Sequence, residues 1–290
     1  MRVTQSMLAQ NSLRHLSKSY ELLGKYQDQM LTRKKITRPS QDPVVAMKGL
    51  YYRTNLKEVE QYKRNLSEAY LWIENSEAGL EQANQGLQRI RELLIRAKNG
   101  TNSEDERDAV AREVKQIKDD LVAVANTQVA GRYIFNGTKT DSAPVSGDPP
   151  VVNNNNEPFK IELSKNIQIQ VNITPDNVFN QALFDTIQDI QNALENNDTT
   201  NLDNLLGQLD DHIDALSAER AELGARYNRI EQMENRIGQQ EVISTKILSD
   251  NEDADIERVI IDLKEQESAH RAALAVSARI IQPNLVDFLR

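Results

Sequence analysis

The sequence predicts a mainly α protein: a long antiparallel helical bundle or coiled coil with one small β-rich insertion. Three observations predict it. Large apolar residues recur every seven positions in two stretches, 49–98 and 201–250, as they do in helices that pack along a seam. Between these stretches lies a segment rich in Pro, Gly and Asn, with apolar residues in strict alternation. The two chain ends carry matched apolar stripes and opposite charge.

The first element follows from Leu13, Leu16, Tyr20, Leu23, Gln27 and Met30, spaced 3-4-3-4-3 on one helix face. Arg33-Lys34-Lys35-Ile36-Thr37-Arg38 and Pro39-Ser40-Gln41-Asp42-Pro43 then read as a loop. Residues 49–98 carry Val59, Leu66, Ile73, Leu80, Leu87 and Leu94 in one column. Three residues after each come Tyr62, Ala69, Ser76, Ala83, Ile90 and Ala97. At 1.5 Å per residue this helix is about 75 Å long. Asn99-Gly100 reads as its stop, and Asn102 or Ser103 as the cap of the next helix. That helix runs through Val110, Val114, Ile117, Leu121 and Val124 to about Gly131.

The character changes over 132–178. Phe159, Ile161 and Leu163, then Ile167, Ile169, Val171 and Ile173, alternate with polar residues and predict a β-hairpin. So small a unit buries little by itself, so the insertion is expected to be exposed. Helix returns at about 179–195 with Leu183, Ile187, Ile190 and Leu194. In 201–250 the column is Leu209, Leu216, Leu223, Ile230 and Ile237. Leu206, Ile213, Tyr227 and Leu248 lie on a second seam. At the far end Ile256, Ile260, Leu263, His270, Leu274 and Ile281 repeat the opening register.

Residues 1–38 hold eight basic and two acidic side chains, and 250–290 nine acidic and five basic. Equal length, matched stripes and opposite charge pair the ends. The expected domains are a terminal coiled coil of 1–38 with 250–290, a helical rod of 39–131 with 179–249, and the insertion of 132–178. Two helices bury only one stripe each, yet Tyr26, Leu31, Ile280, Leu285, Val286 and Phe288 add apolar surface beyond it. Either the ends dock on the middle in a six-helix bundle or neighbouring copies complete them, and the Gly/Pro-bearing loop at 39–49, which separates the end helix from the bundle, supports the second. The expected assembly residues are Leu13, Leu16, Tyr20, Leu23, Met30, Leu263, Leu274, Ile281, Leu285 and Phe288. The loops at 32–48 and 249–255 are expected to be open to proteases.

Composition excludes much chemistry. The net charge is −9, against the basic face that nucleic-acid binding needs. There are no cysteines, so no disulfide, thiol catalysis or thiolate metal site. The three histidines, His15, His212 and His270, are scattered, and His270 reads as a packed helix residue. Asp250 to Asp255 lacks the sixth-place Gly and twelfth-place Glu of a calcium loop and reads as a helix start. No phosphate loop, nucleophile elbow or zinc motif occurs. No catalytic residue, metal or cofactor is expected. No stretch reaches the roughly 18 apolar residues of a membrane span. Met1 to Met7 shows no apolar leader or cleavage site, so no cleaved Sec-type signal is expected.

Several segments resemble the flagellin family. They are Arg2-Val3-Thr4-Gln5-Ser6-Met7, Arg38-Pro39-Ser40-Gln41-Asp42-Pro43 and the ending from Ser277 to Leu289. Gln88-Arg89-Ile90-Arg91-Glu92-Leu93 is similar to that family's central-domain motif. The resemblance covers roughly 1–135 and 180–290, and the insertion matches nothing specific. It implies a structural subunit of the bacterial flagellum that polymerises into a tubular layer between hook and filament. It also implies partners: a hook-associated neighbour on the hook side, flagellin on the filament side and an export chaperone on the C-terminal region. Export through the flagellar type III channel to the cell exterior follows from the same likeness. The filament subunit itself is the first alternative. Trp72 and the loop at 38–43 depart from its pattern. A helical binding module or chaperone is the second. By heptad position Arg89, Arg91, Glu92 and Leu93 stand beside or opposite the seam and are expected to make a lateral contact between subunits.

Overall fold

The computed structural model describes residues 5–98, 104–153, 155–198 and 200–281. The chain runs through α1 (Gln5–Thr32), α2 (Pro43–Lys98), α3 (Glu104–Ala125), six short strands, α4 (Gln181–Glu195), α5 (Leu202–Glu252) and α6 (Ile256–Ile281). The strands are β1 (Gln128–Val129), β2 (Arg132–Tyr133), β3 (Val145–Ser146), β4 (Val151–Val152), β5 (Lys160–Ser164) and β6 (Ile167–Gln170). The sequence-predicted caps at 99–103 lie outside the described residues. α2 starts six residues before the predicted 49. Asp42 caps it by accepting from Val44 N at 3.0 Å and Val45 N at 3.1 Å, with Pro43 in the first turn.

Packing divides the chain into two compact units, 59–239 and 1–58 with 240–290. The divisions fall inside α2 and α5. The loops near 38 and 250, proposed above as domain boundaries, are breaks between helices.

In the 59–239 unit the seven-residue columns of α2 and α5 are buried throughout. Tyr70 donates to Glu234, Arg220 pairs with Glu77, and Arg91 with Asp210. Partners descend along α5 as they ascend along α2, so the two helices are antiparallel. A second column on α2 lies outside the predicted seam: Asn65, Trp72, Gly79, Gly86 and Leu93, again seven apart. Asn65 donates to Glu162 O at 2.7 Å, and Trp72 meets the Phe159 ring at 5.1 Å. A Cβ on Gly79 would lie 2.8 Å from Phe135 Cζ, and one on Gly86 3.3 Å from Ile117 Cγ2. The two glycines are thus the hollows into which the Phe135 ring and α3 settle.

α3 and α4 pack closely. Asn180 caps α4 by accepting from Leu183 N. Lys118 is 2% exposed. Its ammonium donates to Gln188 Oε1 at 2.8 Å and Gln191 Oε1 at 3.2 Å, the partners that a buried charge requires.

The three strand pairs are all antiparallel, β1 with β2, β3 with β4 and β5 with β6. β5 and β6 form the predicted hairpin, pairing Ile161 with Ile169. The expected exposure of the insertion is corrected. Ile134, Phe135, Val145, Leu163, Val171 and Ile173 are all buried, in one continuous core with Trp72 and Leu66 of α2. A lone hairpin has one apolar face and no second sheet to cover it, so it borrows the helices.

Two side chains here carry testable consequences. Ser76 Oγ is fully buried with no hydrogen-bond partner. Ser76→Ala removes an unsatisfied hydroxyl and improves helix propensity. It should raise stability by about 1 kcal/mol, and an unchanged or lower melting temperature would count against this. His212 is half-buried, 3.4 Å from Thr186 Oγ1. Burial holds its imidazole below the ordinary value, against a smaller opposing effect of Asp211. The folded chain therefore binds fewer protons there than the unfolded chain. The stability it contributes is full above about pH 6.5, the unfolded value, and is lost as pH falls through the folded one. Urea melts of wild type and His212→Gln across that range should show a shallower loss in the variant; parallel curves would refute the assignment.

Candidate assembly surfaces

In the unit of 1–58 with 240–290, α1 and α6 lie against each other. Ser19 Oγ meets His270 Nδ1 at 3.0 Å and accepts from Gln266 Nε2 at 2.8 Å. Lys34 bridges to Asp253. Partner numbers fall on α6 as they rise on α1, so this pair is antiparallel too. The facing side of α1 carries Leu16, Ser19, Leu23 and Tyr26, all half-buried. That of α6 carries Val259, Leu263, Gln266 and His270, and only Val259 and Leu263 are buried.

The predicted stripe is thus offset at alternate positions. Leu16, Leu23 and Leu263 do lie between the helices. Leu13 and Tyr20 are 58% and 72% exposed, and Met30 and Leu274 also face outward. The polar Ser19–Gln266–His270 cluster fixes the register, and apolar residues flank it on both sides. The side chain of Ile281, and Leu285 and Phe288, lie outside the described residues.

The two helix breaks are clasped together. Lys35 N donates to Glu252 O at 2.7 Å, and Ala254 N to Arg33 O at 2.9 Å. Lys34 Nζ meets Asp253 Oδ1 at 2.6 Å and Glu252 Oε2 at 3.4 Å. Arg53 pairs with Glu252 at 2.7 Å, and Lys35 Nζ donates to Asp250 O. Lys34 holds the Asp253 carboxyl below the ordinary range, helped by Ser249. Asp253 is partly exposed, so solvent screens the pair. Complementary charges in the two breaks bind each other, while residues 37–41 of the first stay exposed. The acidic run is also not simply a helix start. Asp250 and Glu252 belong to the end of α5, where the dipole disfavours them and where Lys34 and Arg53 offset the cost. Asp255 alone caps α6, accepting from Arg258 N at 3.2 Å. Beside the clasp is a cleft of about 400 Å³, lined chiefly by Ile36, Arg38, Pro39, Val45, Met47 and Leu50.

The four residues expected to form a lateral contact do not share one surface. Arg89 reaches α3 through Glu113 at 2.8 Å and also pairs with Glu92 at 3.1 Å. Arg91 reaches α5 through Asp210 at 2.6 Å. Glu92 faces solvent. Leu93 is 2% exposed and is corrected to a core residue. It belongs to the second column of α2, which a reading of one seam leaves out.

Among the described residues no three of His, Asp and Glu gather where they could hold a metal ion. No described helix is long and apolar enough to cross a membrane.

Comparison with known proteins gives matches to two family descriptions. Residues 3–140 match the bacterial flagellin N-terminal helical region, and residues 206–289 the bacterial flagellin C-terminal helical region. The chain is similar to flagellar hook-associated protein 3 of Escherichia coli, 26% identical over 94% of this chain and 95% of that one. Among solved structures it resembles Bacillus cereus FlgL, at 23% identity and TM-score 0.61 over 69% of this chain and 99% of that one. It also resembles the flagellar junction protein FlgL from Legionella pneumophila, at 19% identity and TM-score 0.60 over 71% and 100%. The last two likenesses concern the fold.

Proposed function

The chain belongs to the bacterial flagellin family, and from that premise we propose that it is a structural subunit polymerising where hook meets filament. There it adapts one lattice to the other and catalyses no reaction. The observation that carries this reading is the uneven placement of exposed apolar surface. Among the described residues, every large exposed apolar side chain except Leu71, Ile95, Val151 and Tyr227 lies in 1–58 or 240–290. A soluble monomer spreads such residues singly, and their concentration marks an interaction surface. Over the full length, identity to a hook-associated protein (26%) exceeds that to a flagellin of Bacillus subtilis (24%), which favours the junction over the bulk of the filament.

Its partners are copies of itself around the tube, a hook-associated protein on one side and flagellin on the other. An export chaperone binds the C-terminal region before passage through the flagellar type III channel to the cell exterior. Immunogold labelling of isolated flagella tests the location. The expected result is one band at the filament base. Label along the whole filament would make the chain the filament subunit. Retention in the cytosol of a strain with working flagellar export would make it a chaperone or binding module.

A further inference from the structure

Two uncovered surfaces of the 1–58/240–290 unit match each other in chemistry. The first is the cleft beside the clasp. Its apolar lining opens onto Met47 and Leu50, 72% and 66% exposed. Lys34, Arg38 and Arg53 also line it, and the one carboxylate there, Glu252, is taken by Lys34 and Arg53. Arg38 has no carboxylate partner among the described residues. The cleft therefore calls for an apolar ridge carrying carboxylates.

The second surface is such a ridge. On the side of α6 turned away from Leu263, Glu257, Ile261 and Glu265 stand exposed on successive turns, about 12 Å from first to last. Ile260 lies beside them, with Arg258 and Lys264 at the edges. Neither glutamate has a partner among the described residues. Other exposed apolar stretches of the unit fit less well. That of α1 mixes Glu21 and Asp28 with Arg14, Lys18 and Lys25, like charges to the cleft, and that of α5 at Val242 and Ile243 sets Lys246 beside Glu241.

Resting on the polymerising subunit proposed above, we infer that the α6 ridge of one copy seats in the cleft of the next. Ile261 lies on Met47 and Leu50, and Glu257 or Glu265 pairs with Arg38. A reciprocal cleft–ridge pair would close as a twofold dimer, so in a polymerising subunit the contact is heterologous. Each copy offers one of each, and the contact repeats from copy to copy where a twofold contact would stop at a dimer.

The absence of cysteine makes a clean test. Met47→Cys and Ile261→Cys both alter exposed side chains, which leaves the fold intact. Chains are assembled on isolated hooks and treated with a short bis-maleimide. Each variant alone should stay uncrosslinked, an equimolar mixture should give dimers, and the double variant a ladder. Arg38→Glu should lower assembly at least tenfold, and adding Glu257→Arg and Glu265→Arg should restore most of it. Dimers without a ladder from the double variant would mean a twofold contact and overturn the inference. So would normal assembly without crosslinks in the mixture, which leaves the proposed function standing. Failure of the wild-type chain to assemble on hooks would overturn the proposed function itself.

Discussion

Replacing residues 140–176 by a short Gly-Ser linker should abolish the cooperative melting of the 59–239 unit. The segment reads in the sequence as an exposed outer insertion. In the fold it supplies Val145, Ile161, Leu163, Ile169, Val171 and Ile173 to the core. Each such side chain contributes about 1.5–3 kcal/mol of burial, against a total stability of about 5–15 kcal/mol. Deletion also returns the ordering entropy of the removed residues. The deciding loss is therefore what the deletion uncovers. Trp72 loses the Phe159 ring, and Phe135 and Phe179, packed at 4.9 Å, lose the strands around them. Aromatic side chains bury about 150–250 Å² each, so uncovering half of three rings costs roughly 6–9 kcal/mol. Circular dichroism should show a broad, low-temperature transition. A sharp transition within a few degrees of wild type would show that the helices hold together without the strands.

The second large effect separates core from interface with one substitution at two sites. Leu274→Asp should leave thermal melting nearly unchanged and prevent assembly on hooks, because Leu274 is 45% exposed in the monomer. Leu263→Asp should melt the α1–α6 pair, because Leu263 is buried between the helices. A carboxylate left unpaired in such a seam costs several kcal/mol. Limited proteolysis reads out the pair, and sedimentation with isolated hooks reads out assembly. Normal assembly by Leu274→Asp would remove that face from the interface, and normal melting of Leu263→Asp would mean the register between α1 and α6 is wrong.

The helices were legible because each needs one repeating stripe, and a seven-residue column survives in sequence even when its partner is far along the chain. The hairpin was legible for the same reason at period two. What escaped was whatever depends on a second neighbour. α2 packs on α5 along one column and on α3 and the strands along another. The second column is interrupted by Gly79 and Gly86, which look like weak helix positions until Phe135 and Ile117 are placed against them. Leu93 lies on that same second column and is buried. The burial of Lys118 leaves no local pattern, because Gln188 and Gln191, which accept from it, lie some 70 residues away. At the chain ends, composition revealed the attraction between basic and acidic segments. It could not reveal the one-residue offset, because Leu16 and Leu23 belong to both the predicted and the observed stripe.

The clasp has a consequence for inheritance. Lys34 and Asp253 are 219 positions apart in a sequence of 290, so about three quarters of it separates them, yet their side chains touch. A change of sign at 34 sets like charges beside Glu252 and Asp253, and an answering change at 252 or 253 relieves them. Recombination that exchanges one end of the coding sequence between diverged relatives breaks the pair, whereas exchange of the interior leaves it whole. Chimaeras carrying 33–38 and 249–255 from one parent should therefore be viable far more often than those that split the two segments.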